Sequence, residues 1–438
     1  MTYAEATQFL YGLRRFGWRP GLETVRHLLA LLGDPQESFP SIHIGGTNGK
    51  GSTAAMVQAI LCAAGCRTGL YTSPHLLSFT ERIRVDGEAI GEEVIVGLTA
   101  RLQALCAEHF APETVRPPAG RLPHPTFFEL TTAIAFLHFR RQQVDAAVIE
   151  VGLGGRLDAT NVIVPKVVAI TNIALEHQEY LGQTIAEIAG EKAGIVKPGV
   201  PILTAAQGEA LPVIRRAAEA HGAPLIVVPE AYAWRLRESG LDGQTFDLTG
   251  PAVGYERLRI PLAGMHQLEN AVTAVAVAET LASQGLRLGV EAIRRGLETI
   301  SWPGRLQVVS RRPRILLDGA HNPAGMEVLA TFLREHRSSL GRLCVVFGVL
   351  KDKDWQAMLG RLLPLLDSLI LTRPASDRAA DPREVAAVAE GCADVRIIPD
   401  PAEALAAARD AAQADDTILV TGSLYTVAAA LQSLRETA

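Results

Sequence analysis

Cysteine is scarce in this chain: Cys62, Cys66, Cys106, Cys344 and Cys392 are scattered through 438 residues, with no Cys-x-x-Cys pair and no histidine cluster beside them. That pattern supports neither a disulfide framework nor a zinc site, and buried thiols are the expected state. Long apolar runs are missing as well. None approaches the roughly 18 residues of a membrane helix, and residues 1–18 lack the basic-then-apolar order of a secretion signal. A cytoplasmic protein with no membrane partner is expected. There is also no basic surplus, since 42 Lys and Arg face 47 Asp and Glu for a formal net charge of −5. With a pI near 6.2, nucleic acid is not an expected partner, and any anionic ligand has to be met by local charge. What the chain does have is core, with 48% hydrophobic and 20% charged residues. Its length exceeds one ordinary core, so two large domains or about three smaller ones are expected.

The most informative stretch is residues 41–53, SIHIGGTNGKGST. It sets glycines, one lysine and two hydroxyls where a short apolar run becomes a helical pattern carried by Ala54, Val57 and Leu61. Glycines let the backbone turn left-handed and approach a ligand, and consecutive N–H groups before a helix N-terminus form an anion-binding nest. Lys50 adds a full positive charge, and Ser52 or Thr53 offers a hydroxyl to a magnesium ion on the same phosphates. The spacing departs from the usual phosphate loop because Gly51 separates Lys50 from Ser52.

Residues 4–32 read as helix on either side of a break at Arg19, Pro20 and Gly21. A short strand is predicted at residues 67–71, an exposed turn or hairpin at 79–91, helix to Phe110, and a mobile, proline-rich surface loop at 112–125. Helix resumes near Thr126. The apolar run of residues 146–149 reads as a buried strand closed by Glu150, and open α/β sheets place ligand chemistry at such strand ends. The glycines that follow are a weak match to a dinucleotide fingerprint, because Leu157 stands where the third glycine belongs. A strand at 167–171 is again followed by polar residues, up to His177. Thr184 with Glu187 forms a capping box for a helix carrying Lys192 and stopped by Gly194. Further strands are expected at 201–205 and 225–228, and the evenly apolar segment after residues 264–270 reads as a buried helix. A boundary is expected at 298–305, beyond which strand and helix alternate as in a parallel sheet covered by helices.

Several motifs stand in order: GTNGKGS at 45–52 within its glycine run, TSPHL at 72–76, TFFE at 126–129, EVGLGGRLDATN at 150–161, EHQEYLG at 176–182, IAGEKAGIVKPG at 188–199, HQLEN at 266–270, PGR at 303–305 and DGAHNP at 318–323. Together the chain closely resembles the folylpolyglutamate synthase/dihydrofolate synthase family of the Mur ligases, over nearly its whole length. The resemblance implies an α/β protein with a P-loop Mur-ligase-like domain over residues 1–298, followed by a smaller Rossmann-like α/β domain over 299–438. It implies an ATP- and Mg²⁺-dependent ligase that joins L-glutamate to dihydropteroate or a reduced folate through an acyl phosphate. Small molecules are then the only partners, and the chain is expected to be a monomer.

By the same resemblance, Asn48, Gly49, Lys50, Gly51 and Ser52 hold the ATP phosphates, and Asn270, Arg305, Asp318 and His321 hold the rest of the nucleotide. Ser73, Glu150 and His177 hold magnesium; standing alone, His177 would read as a loop histidine. Lys192 corresponds to a carbamylated lysine, whereas its own sequence surroundings suggest a helix-terminal lysine stabilised by the helix dipole. Lys50, Lys192, Glu150, His177 and Arg305 are the implied catalytic set. The pterin side falls on Arg19, Pro20, Gly21, Thr126, Phe127, Phe128, Glu129, Arg156, Leu157 and Asp158, with the phenylalanines available for stacking or for the core. Two other readings stay open: a peptidoglycan ligase acting on a UDP-sugar peptide, and a nucleotide-switched binding module.

Overall fold

The computed structural model describes residues 1–17, 19–112, 121–389, 392 and 394–436. The chain divides into two compact units: the first comprises residues 1–234, 247–258 and 269–300, the second 235–246, 259–268 and 301–438.

The first unit is built on a sheet of β1 (Ser41–Gly45), β2 (Thr68–Tyr71), β3 (Ile83–Val85), β4 (Glu88–Ala89), β5 (Ala146–Glu150), β6 (Val167–Ile170), β7 (Ile202–Thr204) and β8 (Leu225–Val227). Their order is β4-β3-β2-β5-β1-β6-β7-β8, parallel except where β3 runs antiparallel to β2 and β4. β1 lies at the centre between β5 and β6, with Ile44 beside Glu150 and Gly45 beside Ile170. All five residues of β1 and all five of β5 are buried, as expected for parallel strands covered on both faces.

Three strands, β9 (Ala233–Gly240), β10 (Gly243–Thr249) and β11 (Gly254–Ile260), form a separate sheet. The sequence gives little sign of β9, of whose eight residues six are exposed and two half-buried, with no alternation. The second unit carries β12 (Gln307–Arg311), β13 (Arg314–Leu317), β14 (Leu343–Phe347), β15 (Ser368–Leu371), β16 (Val395–Ile397) and β17 (Thr417–Thr421), ordered β12-β13-β17-β14-β15-β16. Only β12 is antiparallel to its neighbour. The five parallel strands alternate with helices as the sequence predicts.

Three expectations need correction. The segment at 79–91 is a hairpin, but its inner face is buried: Phe79, Ile83 and Val85 join the core, and Arg82 is buried with them. The loop at 112–125 lies partly outside the described residues, and its described end runs inward from the exposed Arg121 to the buried His124 and Pro125. Of the five cysteines only Cys106 is fully buried, and the other four are partly exposed free thiols.

The helix Lys50–Ala63 that follows β1 packs backbone to backbone on the helix Val290–Thr299. A Cβ added at Gly296 would stand 2.4 Å from Ile60 Cα, and backbone cannot yield as a flexible side chain does. Gly296→Ala is therefore expected to destabilise the protein by about 1–3 kcal/mol. A urea midpoint equal to that of the parent chain would overturn this packing.

Candidate active site

β1 ends in a loop that only glycine can trace at two points: Gly46 has φ 132° and Gly49 φ 84°. Gly49 then starts the helix Lys50–Ala63 without any side-chain cap, so the first N–H groups of that helix stay available to an anion. The tail of β6 fastens the loop. Asn172 O accepts from Thr47 N at 2.7 Å, Asn172 Oδ1 accepts from Asn48 N at 2.9 Å, and Thr171 Oγ1 donates to Asn48 O at 2.7 Å. Asn270 also lies on this loop, since a Cβ at Gly49 would meet its Oδ1 at 2.3 Å. Ser52 sits buried in the first turn.

Two lysines converge on the same loop. Lys50 Nζ donates to Thr47 O at 2.9 Å and Lys192 Nζ donates to Gly46 O at 2.8 Å. Lys192 is 4% exposed, and burial, reinforced by the charge of Lys50, lowers its pKa to about 7; Glu176 and Asp158 pull the other way. Much of this amine is therefore neutral near pH 7, which is not the behaviour of a solvent-facing helix-terminal lysine.

Glu150 closes β5 next to the loop, and Ser73 N, just past β2, donates to Glu150 Oε2 at 2.9 Å. His177 is half-buried in a left-handed conformation, with Nε2 3.7 Å from the buried carboxylate of Glu176. Among the described residues no three His, Cys, Asp or Glu side chains form a metal cluster. The donor set of one carboxylate, one hydroxyl and one imidazole suits a hard cation that takes its remaining ligands from phosphate and water. Glu176 was not singled out in the sequence; its burial and its pull on Lys192 are visible only in the fold.

A cavity of about 300 Å³ opens beside Ser73. Arg19, Gly21, Thr126, Phe128, Glu129, Leu157 and Asp158 line it, so most of the expected pterin-side residues come together. Arg19 Nη1 donates to His124 O at 3.1 Å. Glu129 Oε2 accepts from Thr126 N at 2.7 Å in a capping box for the helix Phe127–Gln142, and burial pushes its carboxyl pKa up. Gly152, also on the wall, leaves room for a ring, because a Cβ there would lie 2.3 Å from Phe128 Cζ. Arg82 lines the cavity too and was missed. Its Nε donates to His75 Nδ1 at 2.8 Å, a burial that its place in a charged turn does not signal.

Three expected residues stand apart from the wall. Pro20 is exposed. The Phe127 ring packs on Tyr11 and Phe79, with the guanidinium of Arg14 4.9 Å and that of Arg82 5.3 Å from its centroid. Arg156, with its side chain 54% exposed, pairs with Glu191 at 3.1 Å.

In the second unit, Asp318 follows β13 and its carboxylate accepts from Leu306 N and Ala320 N, both at 2.9 Å. Arg305 covers Gly319, where a Cβ would meet its Nη1 at 2.4 Å. His321 Nδ1 is 2.8 Å from Gly319 O. These three residues thus gather before the helix Pro323–Glu335. His266 belongs with them: burial and Arg305 lower its pKa to about 4 against the opposing pull of Asp318.

Residues 44–278 match the Mur ligase middle domain and residues 304–424 match the Mur ligase glutamate ligase domain, and with the phosphate loop this makes the chain an ATP-dependent ligase. A dihydrofolate synthase/folylpolyglutamate synthase of Bacillus subtilis (strain 168) is 38% identical over 426 residues, 97% of each chain. The Mycobacterium tuberculosis folylpolyglutamate synthase complexed with ADP is similar with a TM-score of 0.89 and 37% identity, covering 98% of both chains. Escherichia coli FolC in complex with DHPP and ADP gives a TM-score of 0.87 at 31% identity, over 100% of this chain and 99% of that one. The chain belongs to the folylpolyglutamate synthase/dihydrofolate synthase family.

The Lys192 pKa has a measurable consequence for stability. Below pH 7 the fold must bury an ammonium, whereas from about 7 to the unfolded value of 10.5 the unfolded chain binds the extra proton. Stability of the unmodified protein should therefore rise with pH across that window. Lys192→Met is expected to remove this rise and to be the more stable protein at pH 6, in urea melts run in CO₂-free buffer. The same slope in both proteins would show that the buried amine carries no such cost.

Proposed function

We propose that this ligase phosphorylates the carboxylate of a pteroate or folate with ATP and lets the amine of L-glutamate displace the phosphate. The observation that carries the reading is the double role of Ser73, which lines the cavity while its N–H grips Glu150 at the strand end beside the phosphate loop. A flat heterocycle held in the cavity directs its carboxylate toward that point. Arg19, Gly21, Thr126, Phe128, Glu129, Leu157 and Asp158 form the seat, and Pro20, Phe127 and Arg156 stand outside its wall. Buried carboxylates suit the N–H-rich edge of a pterin.

The amides of Asn48, Gly49 and Gly51, with Lys50 and Ser52, take the ATP phosphates, and Asn270, Arg305, Asp318 and His321 serve the remainder of the nucleotide. We assign residues 1–298 and 299–438 as the two working domains. Ser73, Glu150 and His177 would hold magnesium, which would supply charge neutralisation to the transferred phosphoryl group. Lys50 and Arg305 stabilise the charge that develops on the phosphoryl oxygens. Exclusion of water by the site keeps the acyl phosphate for the amine, which attacks the carbonyl carbon, loses a proton and expels inorganic phosphate.

Lys192 has the neutral amine that carbamylation requires. The nitrogen adds to CO₂, a proton leaves, and a cation becomes a carbamate anion facing the metal site. Protein equilibrated with ¹³C-bicarbonate at neutral pH is expected to show a carbamate carbon resonance that Lys192→Ala lacks. Identical spectra for the two proteins would refute the modification.

The reaction itself is tested by ADP release from ATP and magnesium with dihydropteroate and tetrahydrofolate offered separately and then together. Release should require glutamate, and each pterin substrate should inhibit turnover of the other, because one phosphate loop and one cavity serve both. Release indifferent to glutamate would indicate a nucleotide switch, release requiring a UDP-sugar peptide would indicate a peptidoglycan ligase, and turnover of both pterins without mutual inhibition would refute the shared site.

A further inference from the structure

Asp158 is braced from behind by two side chains that never reach the cavity. Thr160 Oγ1 donates to Asp158 Oδ1 at 2.5 Å, Thr160 N donates to the same oxygen at 3.0 Å, and Leu153 N donates to Oδ2 at 2.8 Å. On the far side, Thr160 Oγ1 lies 2.8 Å from His43 Nε2. A hydroxyl has one proton. Since Thr160 gives it to Asp158, Thr160 must accept from His43, and the imidazole must carry its proton on Nε2. Nδ1 is then a bare acceptor, and it is buried with no partner among the described residues.

The three residues are 0%, 0% and 3% exposed in chain order from His43 through Thr160, with Asp158 the last value. A histidine here is a poor choice for the strand alone. β1 pairs on both sides with apolar strands, Ile42 and Ile44 flank His43, and an aliphatic residue would fill the space without leaving a ring nitrogen unsatisfied. Neither His43 nor Thr160 lines the cavity, whereas Asp158 does.

We propose that His43 is a positioning residue for substrate recognition: its Nε2–H, relayed through Thr160, locks the Thr160 proton onto Asp158 and keeps that carboxylate a pure acceptor in one orientation for the adjacent N–H groups of a flat, amidine-like heterocycle. The proposal rests on the reading of the cavity as the pterin seat. Without His43, the Thr160 hydroxyl is free to rotate, and Asp158 can instead hold its own proton and donate it to Thr160. Burial favours that alternative, because it pushes the Asp158 carboxyl pKa upward. A protonated Asp158 has lost its charge and is a weaker acceptor for ligand N–H groups.

The test is steady-state kinetics of the full chain with dihydropteroate, ATP and glutamate, using His43→Leu, His43→Gln and Asp158→Asn. Loss of a hydrogen bond to a charged group should raise the KM for dihydropteroate about tenfold in His43→Leu, while kcat and the KM for ATP stay near parent values. His43→Gln, which keeps an N–H close to the Nε2 position, should recover most of the loss. Asp158→Asn should raise the same KM, and adding His43→Leu to it should add little, because the two act in one chain. If Asp158→Asn leaves the KM for dihydropteroate unchanged, the reading of the cavity fails. If it raises that KM while His43→Leu does not, the cavity reading stands and the relay is overturned. A rise in the KM for ATP in His43→Leu would likewise overturn it, by placing His43 in support of the phosphate loop. Should His43→Leu not fold, ¹⁵N spectra of the parent protein decide: a proton on Nε2 supports the relay, and a proton on Nδ1 refutes it.

Discussion

The phosphate loop is held open by its neighbour strand, and the rest of the site depends on that grip. A loop with two left-handed glycines has no hydrogen-bond ladder of its own, so its shape has to come from outside. Thr171 and Asn172 supply it by bonding Thr47 and Asn48 as β6 ends. The arrangement is possible only because β1 lies between β5 and β6. That order brings one neighbour's tail to the loop and leaves the other neighbour's last residue, Glu150, beside it. Ser73, one strand further out, then reaches Glu150 through its backbone. Loop, carboxylate and cavity wall follow from a single strand order.

Electrostatics inside this frame are set by burial more than by the count of charges. The chain as a whole is acidic, yet the loop is flanked by Lys50 and Lys192, each bonded to a loop carbonyl. Burial of Lys192, reinforced by the charge of Lys50, brings the Lys192 pKa down to about 7. Two permanent cations would bind phosphate more strongly, but they would oppose a metal ion. A Lys192 amine that releases its proton near neutrality lowers the positive charge at the loop.

Much of this was readable in the sequence, and the limits have physical causes. The parallel strands announced themselves as short apolar runs, and the capping box of Thr184 and Glu187 marked its helix. The glycines and Lys50 marked the loop. Arg82 could not be found this way, because a charged residue in a turn reads as solvated until His75, Phe79 and Phe127 are seen to enclose it. Phe127 and Phe128 are neighbours in sequence, but a helix turns them in different directions, one into an aromatic cluster and the other onto the cavity. Arg156 sits in a motif with Leu157 and Asp158, yet its side chain leaves them for Glu191. Membership of a motif locates the backbone and says little about where a long side chain goes. β9 escaped notice because it buries no regular face.

Glu129 has one carboxylate and two duties. It closes the first turn of the helix Phe127–Gln142, whose residues from Leu130 to Phe139 are all buried, and it forms part of the cavity wall. A substitution that reshaped the wall at this point would also uncap a helix running through the core of the first unit. Any change to the cavity made through Glu129 is therefore tied to the stability of the whole unit. Leu157, on the same wall and capping nothing, is under no such tie. The cavity can therefore be reshaped at positions of that second kind without loosening the helix beneath it.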